Sequence, residues 1–278
     1  MASGVQAAVD VAHQLGLHVE EPRVIQETHN TVVWLWPQPV IAKVGTYRDT
    51  AEGLIREHDV ASRLSALNAP VASPLPGSSP VTDESSGFTV TLWCRVETVE
   101  HVSVSGPAVG RSLDQLHRAL GDCDVRLPSF RVGLEYARAA LFDDQRVAAL
   151  NPDDRMFLRS AFVDLWSKLD NLQFAEQALH GEPHDGNYLA TPSGLIGIDF
   201  ESVCRGPREW DLAFLPEEAL IDFEPIDPAL LQLLRVLNSV RVATWCAVEA
   251  RFPEMRIHGE HHLCVVRSRW PGSSFSFP

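Results

Sequence analysis

Cysteine is sparse in this chain. Cys94, Cys123, Cys204, Cys246 and Cys264 lie far apart in 278 residues, with no CxxC pair and an odd total. That excludes a disulfide framework and a zinc ribbon, and it fits a reducing, cytoplasmic setting. Basic charge is also short. Lys plus Arg is 23 against 37 Asp plus Glu, a formal charge of −14, which a nucleic-acid backbone would repel, so nucleic acid is not an expected partner. A long uncharged apolar run is missing as well. The most apolar segment, 228–252, is interrupted by Arg235, Asn238, Arg241 and Glu249, whereas a bilayer span needs about 20 nearly uncharged residues. It reads as a buried helix, and no membrane partner is expected. Residues 1–16 carry Asp10 and His13 and lack a basic stretch followed by an apolar one, so no export signal is expected. Internal repeats are absent, and the only biased tract is a Ser/Pro-rich loop near residue 80.

What is present suits a globular protein of one large or two small lobes: 45% of residues are hydrophobic and 22% charged, too apolar for disorder. After a short helix at 5–16, "RVIQE", "TVVWLW" and "PVIAKV" read as three strands, the last two joined tightly through Pro37, Gln38 and Pro39. Helical periodicity follows at 50–67, where Asp49 and Glu52 have capping-box spacing. "FTVTLWCRV" is a further strand. Beyond Val96 helical patterns dominate, at 106–120, 130–141, 152–178 and 228–252. They are interrupted by "NYLATPSGLIGIDF", where two apolar runs flank Thr191, Pro192, Ser193 and Gly194 in the manner of a hairpin. This pattern predicts an α+β protein of two lobes, with a strand-rich lobe over 1–96 and a helical lobe over 97–278.

The segment 179–201, "LHGEPHDGNYLATPSGLIGIDFE", concentrates the chemistry. His180, Glu182, His184, Asp185 and Asn187 crowd a loop, and Asp199 ends an apolar strand. A carboxylate in that position is costly unless it meets a cation or strong donors. Glu182, Asn187 and Asp199 are therefore hard oxygen donors that a hairpin can bring together.

With His180-Gly181-Glu182, Asn187 and Ile198-Asp199-Phe200-Glu201 in this order and spacing, the chain resembles the aminoglycoside phosphotransferase and choline kinase superfamily. These are small-molecule kinases with a protein-kinase-like fold, and the likeness runs over roughly residues 24–215. "GPREWDLAFL" resembles the segment that closes the family's catalytic core. The resemblance implies a two-lobed fold, ATP as phosphoryl donor and Mg2+ held by Asn187 and Asp199. It implies Glu182 at the catalytic-base position, with Asp185 in reserve, and His180 and Asp211 as structural support. Glu182 departs from the family, which mostly has Asp there.

A kinase-like small lobe also needs a strand lysine on the phosphates and a helix glutamate to hold it. Lys43 lies in the apolar strand "PVIAKV", and Glu57 interrupts the apolar stripe of Leu54, Ala61 and Leu64 on the next helix. "QETHNT" at 26–31 would cover the phosphates, with Asn30 as a contact, although it contains no glycine. Trp93, Cys94 and Val96 are hinge candidates facing the nucleobase. The acceptor is expected to be a hydroxyl-bearing small molecule that carries amines, most simply an aminoglycoside or amino sugar, so antibiotic inactivation is one consequence. That expectation is what the resemblance implies, since the family's helical lobe lines an acidic pocket for its substrate, and the acidic run 217–227 offers Asp222, Glu224 and Asp227 as candidate substrate residues. A metabolic kinase of the choline, sugar or homoserine type, and a nucleotide-binding pseudokinase marked by Glu182, stand as alternatives.

Other groupings are discounted. "HGEPH" cannot be a zinc-protease helix, because Gly181 and Pro183 break it. His258, His261, His262 and Cys264 read as solvated surface rather than a metal site, Arg205 and Arg208 as a solvated loop, and Trp34, Trp36, Trp166 and Trp245 as core.

Overall fold

A computed structural model describes residues 3–28, 30–46, 51–99, 104, 106–221, 223 and 225–270. The chain forms two compact units interleaved in sequence: 1–127, 178–204 and 215–223 make the first, and 128–177, 205–214 and 224–278 the second. The sequence reading, by contrast, divides the chain once, after Val96.

The first unit is built on a five-stranded antiparallel sheet of order β1-β2-β3-β5-β4: β1 (Glu21–Glu27), β2 (Asn30–Trp36), β3 (Val40–Gly45), β4 (Val81–Thr82) and β5 (Thr89–Cys94). Period-two alternation puts Val33 and Leu35 of β2, Val40, Ala42 and Val44 of β3, and Val90 and Leu92 of β5 on one face. There they pack against Ala7, Ala8, Val11 and Ala12 of α1 (Gly4–Gln14). The small side chains let helix and sheet approach closely; a Cβ on Gly4 would lie 2.6 Å from Thr31 Oγ1. Ser3 caps α1 by accepting from the Gln6 amide.

The opposite face corrects the expectation for the tryptophans. Trp34 and Trp36 are half-exposed there, with the Arg23 guanidinium over both and the Arg95 guanidinium over Trp34 at 4.2 Å. Alternation along β2 sends Val33 and Leu35 inward and therefore the indoles outward. The proposed cover loop is corrected too. β1 runs to Glu27 and β2 starts at Asn30, so most of 26–31 is strand; His29 lies outside the described residues.

From the sheet the chain passes to α2 (Ala51–Ala66), which buries Leu54, Glu57, Ala61 and Leu64 on one face; Asp49 of the supposed cap lies outside the described residues. Helix α3 (Pro107–Gly121) belongs to the same unit. So does the hairpin of β7 (Tyr188–Thr191) and β8 (Gly194–Gly197), closed at Thr191 and Gly194. Short strands β6 (Gln177–Leu179) and β9 (Cys204–Gly206) flank it in sequence. The Gly197 amide donates to the Pro70 carbonyl, and the Ala72 amide donates to that of Gly197. These bonds fix the end of β8, and with it Asp199.

The second unit is helical, with α4 (Arg131–Leu141), α5 (Pro152–Asp170), α6 (Arg208–Leu212), α7 (Pro228–Val248) and α8 (Pro253–Arg269). Helix α5 stops at Asp170 rather than 178. The helix expected to reach residue 252 ends at Val248, because Pro253 has no amide proton to continue it and instead starts α8. Trp166, stacked on Phe162, and Trp245 are half-exposed rather than core. All five cysteines are free thiols. Among the described residues, no helix is long and apolar enough to cross a membrane.

Candidate active site

Lys43 sits in the middle of β3, paired with Thr91 of β5 and Val32 of β2, in a strand whose neighbours are all apolar. A lysine buried there requires carboxylates, and three reach it. Its Nζ lies 2.8 Å from Glu57 Oε2, 2.9 Å from Asp199 Oδ1 and 2.6 Å from Glu201 Oε1. Burial works against the ammonium charge, but the carboxylates outweigh it and hold Lys43 well above the ordinary range.

Glu57, 2% exposed, is satisfied at both oxygens, since Oε1 accepts from the Phe200 amide at 3.1 Å. Burial, with repulsion from Asp199 and Glu201 added, pushes Glu57 up to about 7 in spite of Lys43. Helix α2 is thereby tied both to the lysine and to the turn after Asp199. Arg56, one residue earlier, donates to the Glu201 carbonyl at 2.7 Å.

Asp199 has left-handed backbone (φ 65, ψ 63), uncommon for a non-glycine residue. Its side chain is 43% exposed, which leaves room for a further ligand. Burial of the site opposes ionisation, yet Lys43, with His180 and His184, holds Asp199 below the usual carboxylate range.

The segment His180-Gly181-Glu182 is folded against the same turn. His180 is fully buried. Its Nε2 meets the Ile198 carbonyl at 3.1 Å and its Nδ1 accepts from the Glu182 amide, so one imidazole holds both the loop and the strand end. Gly181 adopts φ +90, and a Cβ there would lie 1.9 Å from the Ser202 carbonyl oxygen. Only glycine fits.

Glu182 is half-buried and accepts from Ser202 Oγ at 3.3 Å. Asp185 is exposed and accepts from the next amide, Gly186. Asn187 is buried, with Nδ2 donating to the Glu182 carbonyl at 2.8 Å and its own carbonyl accepting from the Ile198 amide. Its amide nitrogen is thus engaged by the loop, and Oδ1 is the atom available to a cation. An open Asp199 carboxylate and an Asn187 carbonyl oxygen, joined by the Asn187–Ile198 bond, suit a hard divalent ion.

The other expected residues are placed as follows. Asn30 is buried and donates to Glu201 Oε1 at 2.5 Å. Trp93 is buried, edge-on to His58, and its Nε1 donates to Thr91 Oγ1, so the indole belongs to the interior. Cys94 closes β5 with its amide on the Ser73 carbonyl, and Val96 lies in irregular chain just beyond. Asp211 is fully buried in α6 of the second unit. Asp227 is the N-cap of α7, accepting from the Ala229 and Leu230 amides. Asp222 and Glu224 lie outside the described residues.

The sequence alone assigns Glu201 no role. A carboxylate two residues beyond Asp199 that interrupts neither a strand nor a helix stripe leaves no periodic signal. The histidines of α8 are less solvated than expected. His258 and His261 are exposed, but His262 is half-buried, 4.7 Å from the His258 ring centroid, and burial aided by His258, His261 and Arg241 lowers it to about 4. His58, buried with Nε2 unpartnered, is likewise lowered by burial, with Asp59 opposing.

Both histidines bind protons more weakly in the folded state, so the unfolded chain takes up more protons as pH falls. Stability from these groups is complete above about 6.5 and is lost as pH falls toward 4. The histidines' share should therefore lower the temperature of thermal unfolding from pH 7 to pH 5, against Glu57, whose raised pKa contributes in the opposite direction, and His58→Gln with His262→Gln should raise stability at pH 5 relative to pH 7. A pH dependence unchanged in the double variant would refute the assignment.

The sequence matches the profile of the phosphotransferase enzyme family over residues 23–237, and the chain belongs to that family. It is a phosphotransferase of protein-kinase-like α+β fold. A search of curated proteins finds no significant match. Solved structures with the same fold include aminoglycoside 2'-phosphotransferase-IIIa in its GDP complex, with TM-score 0.71, 13% identity and coverage of 96% of this chain and 99% of that one. Amicoumacin kinase hAmiN in complex with AMP-PNP, Ca2+ and Ami gives TM-score 0.70, 16% identity, and coverage of 96% and 95%. A choline/ethanolamine kinase family protein from Mesorhizobium loti gives 0.64, 15%, and 98% and 96%.

Proposed function

We propose that the protein transfers the γ-phosphoryl group of ATP, with Mg2+, to a hydroxyl of an amine-bearing small molecule such as an aminoglycoside or amino sugar. The observation that carries this reading is Lys43 paired with Glu57 of α2, with the Asp199 carboxylate after β8 beside it; a kinase-like site uses such a lysine–glutamate pair on the phosphates and such a carboxylate on the metal. Structures of like fold hold AMP-PNP with Ca2+ in one case and GDP in another, which supports a nucleotide with a divalent ion.

In this reading Lys43 binds the nucleotide phosphates, and Asn187 and Asp199 hold the ion, which neutralises phosphate charge when bound. Glu182 orients the acceptor hydroxyl and takes its proton as the new oxygen–phosphorus bond forms and the bond to the β-phosphate oxygen breaks, releasing ADP. His180 and Asn187 keep the Glu182 backbone in place through the bonds described above. Val96, beyond the end of β5, meets the nucleobase, and a division after Val96, with the nucleotide-binding lobe before it and the catalytic loop, metal site and acceptor pocket after it, belongs to the same reading.

The acceptor class rests on the acidic run 217–227, of which Asp227 is engaged in capping α7, and on relatives named for aminoglycosides and for amicoumacin. Inactivation of an antibiotic would follow from such an acceptor.

A nucleotide-consumption screen over aminoglycosides, amino sugars, choline and simple sugars, confirmed by the mass of the acceptor, tests this. Turnover is expected with an amine-bearing compound. Efficient use of neutral sugars alone would remove the amine requirement, and nucleotide binding without turnover on any acceptor would favour the pseudokinase alternative.

A further inference from the structure

A lysine ammonium has three protons to donate, and Lys43 is within ion-pair distance of three carboxylates. A phosphate oxygen that reaches Lys43 must therefore displace one of them. Glu57 is a poor leaving partner, because its side chain is 3% exposed and its second oxygen holds the Phe200 amide. Asp199 is the candidate ion ligand. Glu201 remains: its side chain is 17% exposed and it makes the shortest of the three contacts.

Glu201 does not rest on Lys43 unaided. Asn30, itself 8% exposed, donates from Nδ2 to the oxygen that faces the lysine, and its own Oδ1 is buried without a partner. A buried amide left half-satisfied is costly, so the arrangement is one that a ligand can improve. The backbone around Glu201 is fixed separately, by Arg56 on its carbonyl, which leaves the carboxylate free to swing without unfolding the turn.

We propose that Glu201 is an internal stand-in for phosphate: in the nucleotide-free protein it occupies the phosphate place on Lys43, and Asn30 is the positioning residue that keeps it there. Nucleotide arrival exchanges the Glu201 carboxylate for a phosphate oxygen. The first residue of β2 thus acts on the phosphate site through a carboxylate rather than by contacting the phosphates itself. This inference rests on the reading of Lys43 as the phosphate ligand.

Calorimetric titration with AMP-PNP, once with Mg2+ and once in EDTA, and with adenosine as the phosphate-free probe, tests it. Glu201→Gln and Glu201→Ala should each tighten metal-free AMP-PNP binding by about tenfold, the size of one charged hydrogen bond, and leave adenosine binding unchanged. Asn30→Ala should tighten metal-free binding by a smaller factor and add nothing in the Glu201→Ala background. Unchanged or weaker metal-free binding in both Glu201 variants, or equal gains for adenosine, overturns the stand-in. An Asn30→Ala effect that persists without Glu201 overturns the positioning role. If wild type fails to bind Mg–AMP-PNP at all, the phosphotransfer reading itself falls; if it binds and only the Glu201 variants disappoint, that reading stands.

Discussion

Replacing Asp199 by asparagine is expected to lower turnover by about 10²- to 10³-fold, the size of loss that follows removal of one group placed to stabilise charge in a transition state. The side chain keeps its size, so the turn after β8 and the Phe200 amide on Glu57 are undisturbed, while the open anionic ligand and one of the three partners of Lys43 disappear. Lys43→Ala should be as damaging to turnover but less clean. It leaves Glu57, Asp199 and Glu201, whose carboxylate oxygens lie within 4.8 Å of one another, without their ammonium, and breaking a buried pair on one side costs about 3–5 kcal/mol. Lower thermal stability is thus expected for Lys43→Ala and not for Asp199→Asn. Steady-state turnover alongside a melting curve separates the two effects, and normal turnover in both variants would dismantle the assignment.

Glu182→Gln carries the second large effect, about 10²- to 10⁴-fold in kcat if the carboxylate accepts the acceptor's proton. Glutamine can still accept from Ser202 Oγ as Glu182 does, so loop geometry should survive and the loss should fall on kcat more than on KM. Glu182→Asp is the companion measurement. A gain in activity would mark the native side chain as a weakened base, and a loss would show a pocket built around the longer one. Near-normal turnover in Glu182→Gln would move the role to Asp185, which is exposed and three residues further along the loop, or to positioning alone.

Local chemistry explains what the sequence made readable. A lysine in an apolar strand and a glutamate breaking an apolar helix stripe are two charges that each need burial with a partner, and they meet at 2.8 Å. The hairpin of β7 and β8 was legible from two apolar runs around Pro192-Ser193, and Gly181 follows from a loop pressed onto the Ser202 carbonyl. Glu201 is visible only as the last residue of the motif Ile198-Asp199-Phe200-Glu201; that it pairs with Lys43 and Asn30, 158 and 171 residues away in the chain, is something no periodicity encodes. The tryptophans of β2 misled for another reason. Indole is apolar enough to suggest core, but strand alternation decides which face it takes, and the outer face supplied guanidinium groups to cover it. Asp227 looked like substrate machinery by composition and is a helix cap by position.

The central claim is that Lys43 and Asp199 form a metal-assisted phosphate site. Its most direct test is calorimetric titration of wild type and Asp199→Asn with AMP-PNP in the presence of Mg2+. A single nucleotide bound per wild-type chain, with binding weakened by Asp199→Asn in the presence of Mg2+ and not weakened by that substitution once Mg2+ is withheld, is the predicted result. Equal Mg2+-dependent binding by both proteins, or no binding by wild type, would contradict it.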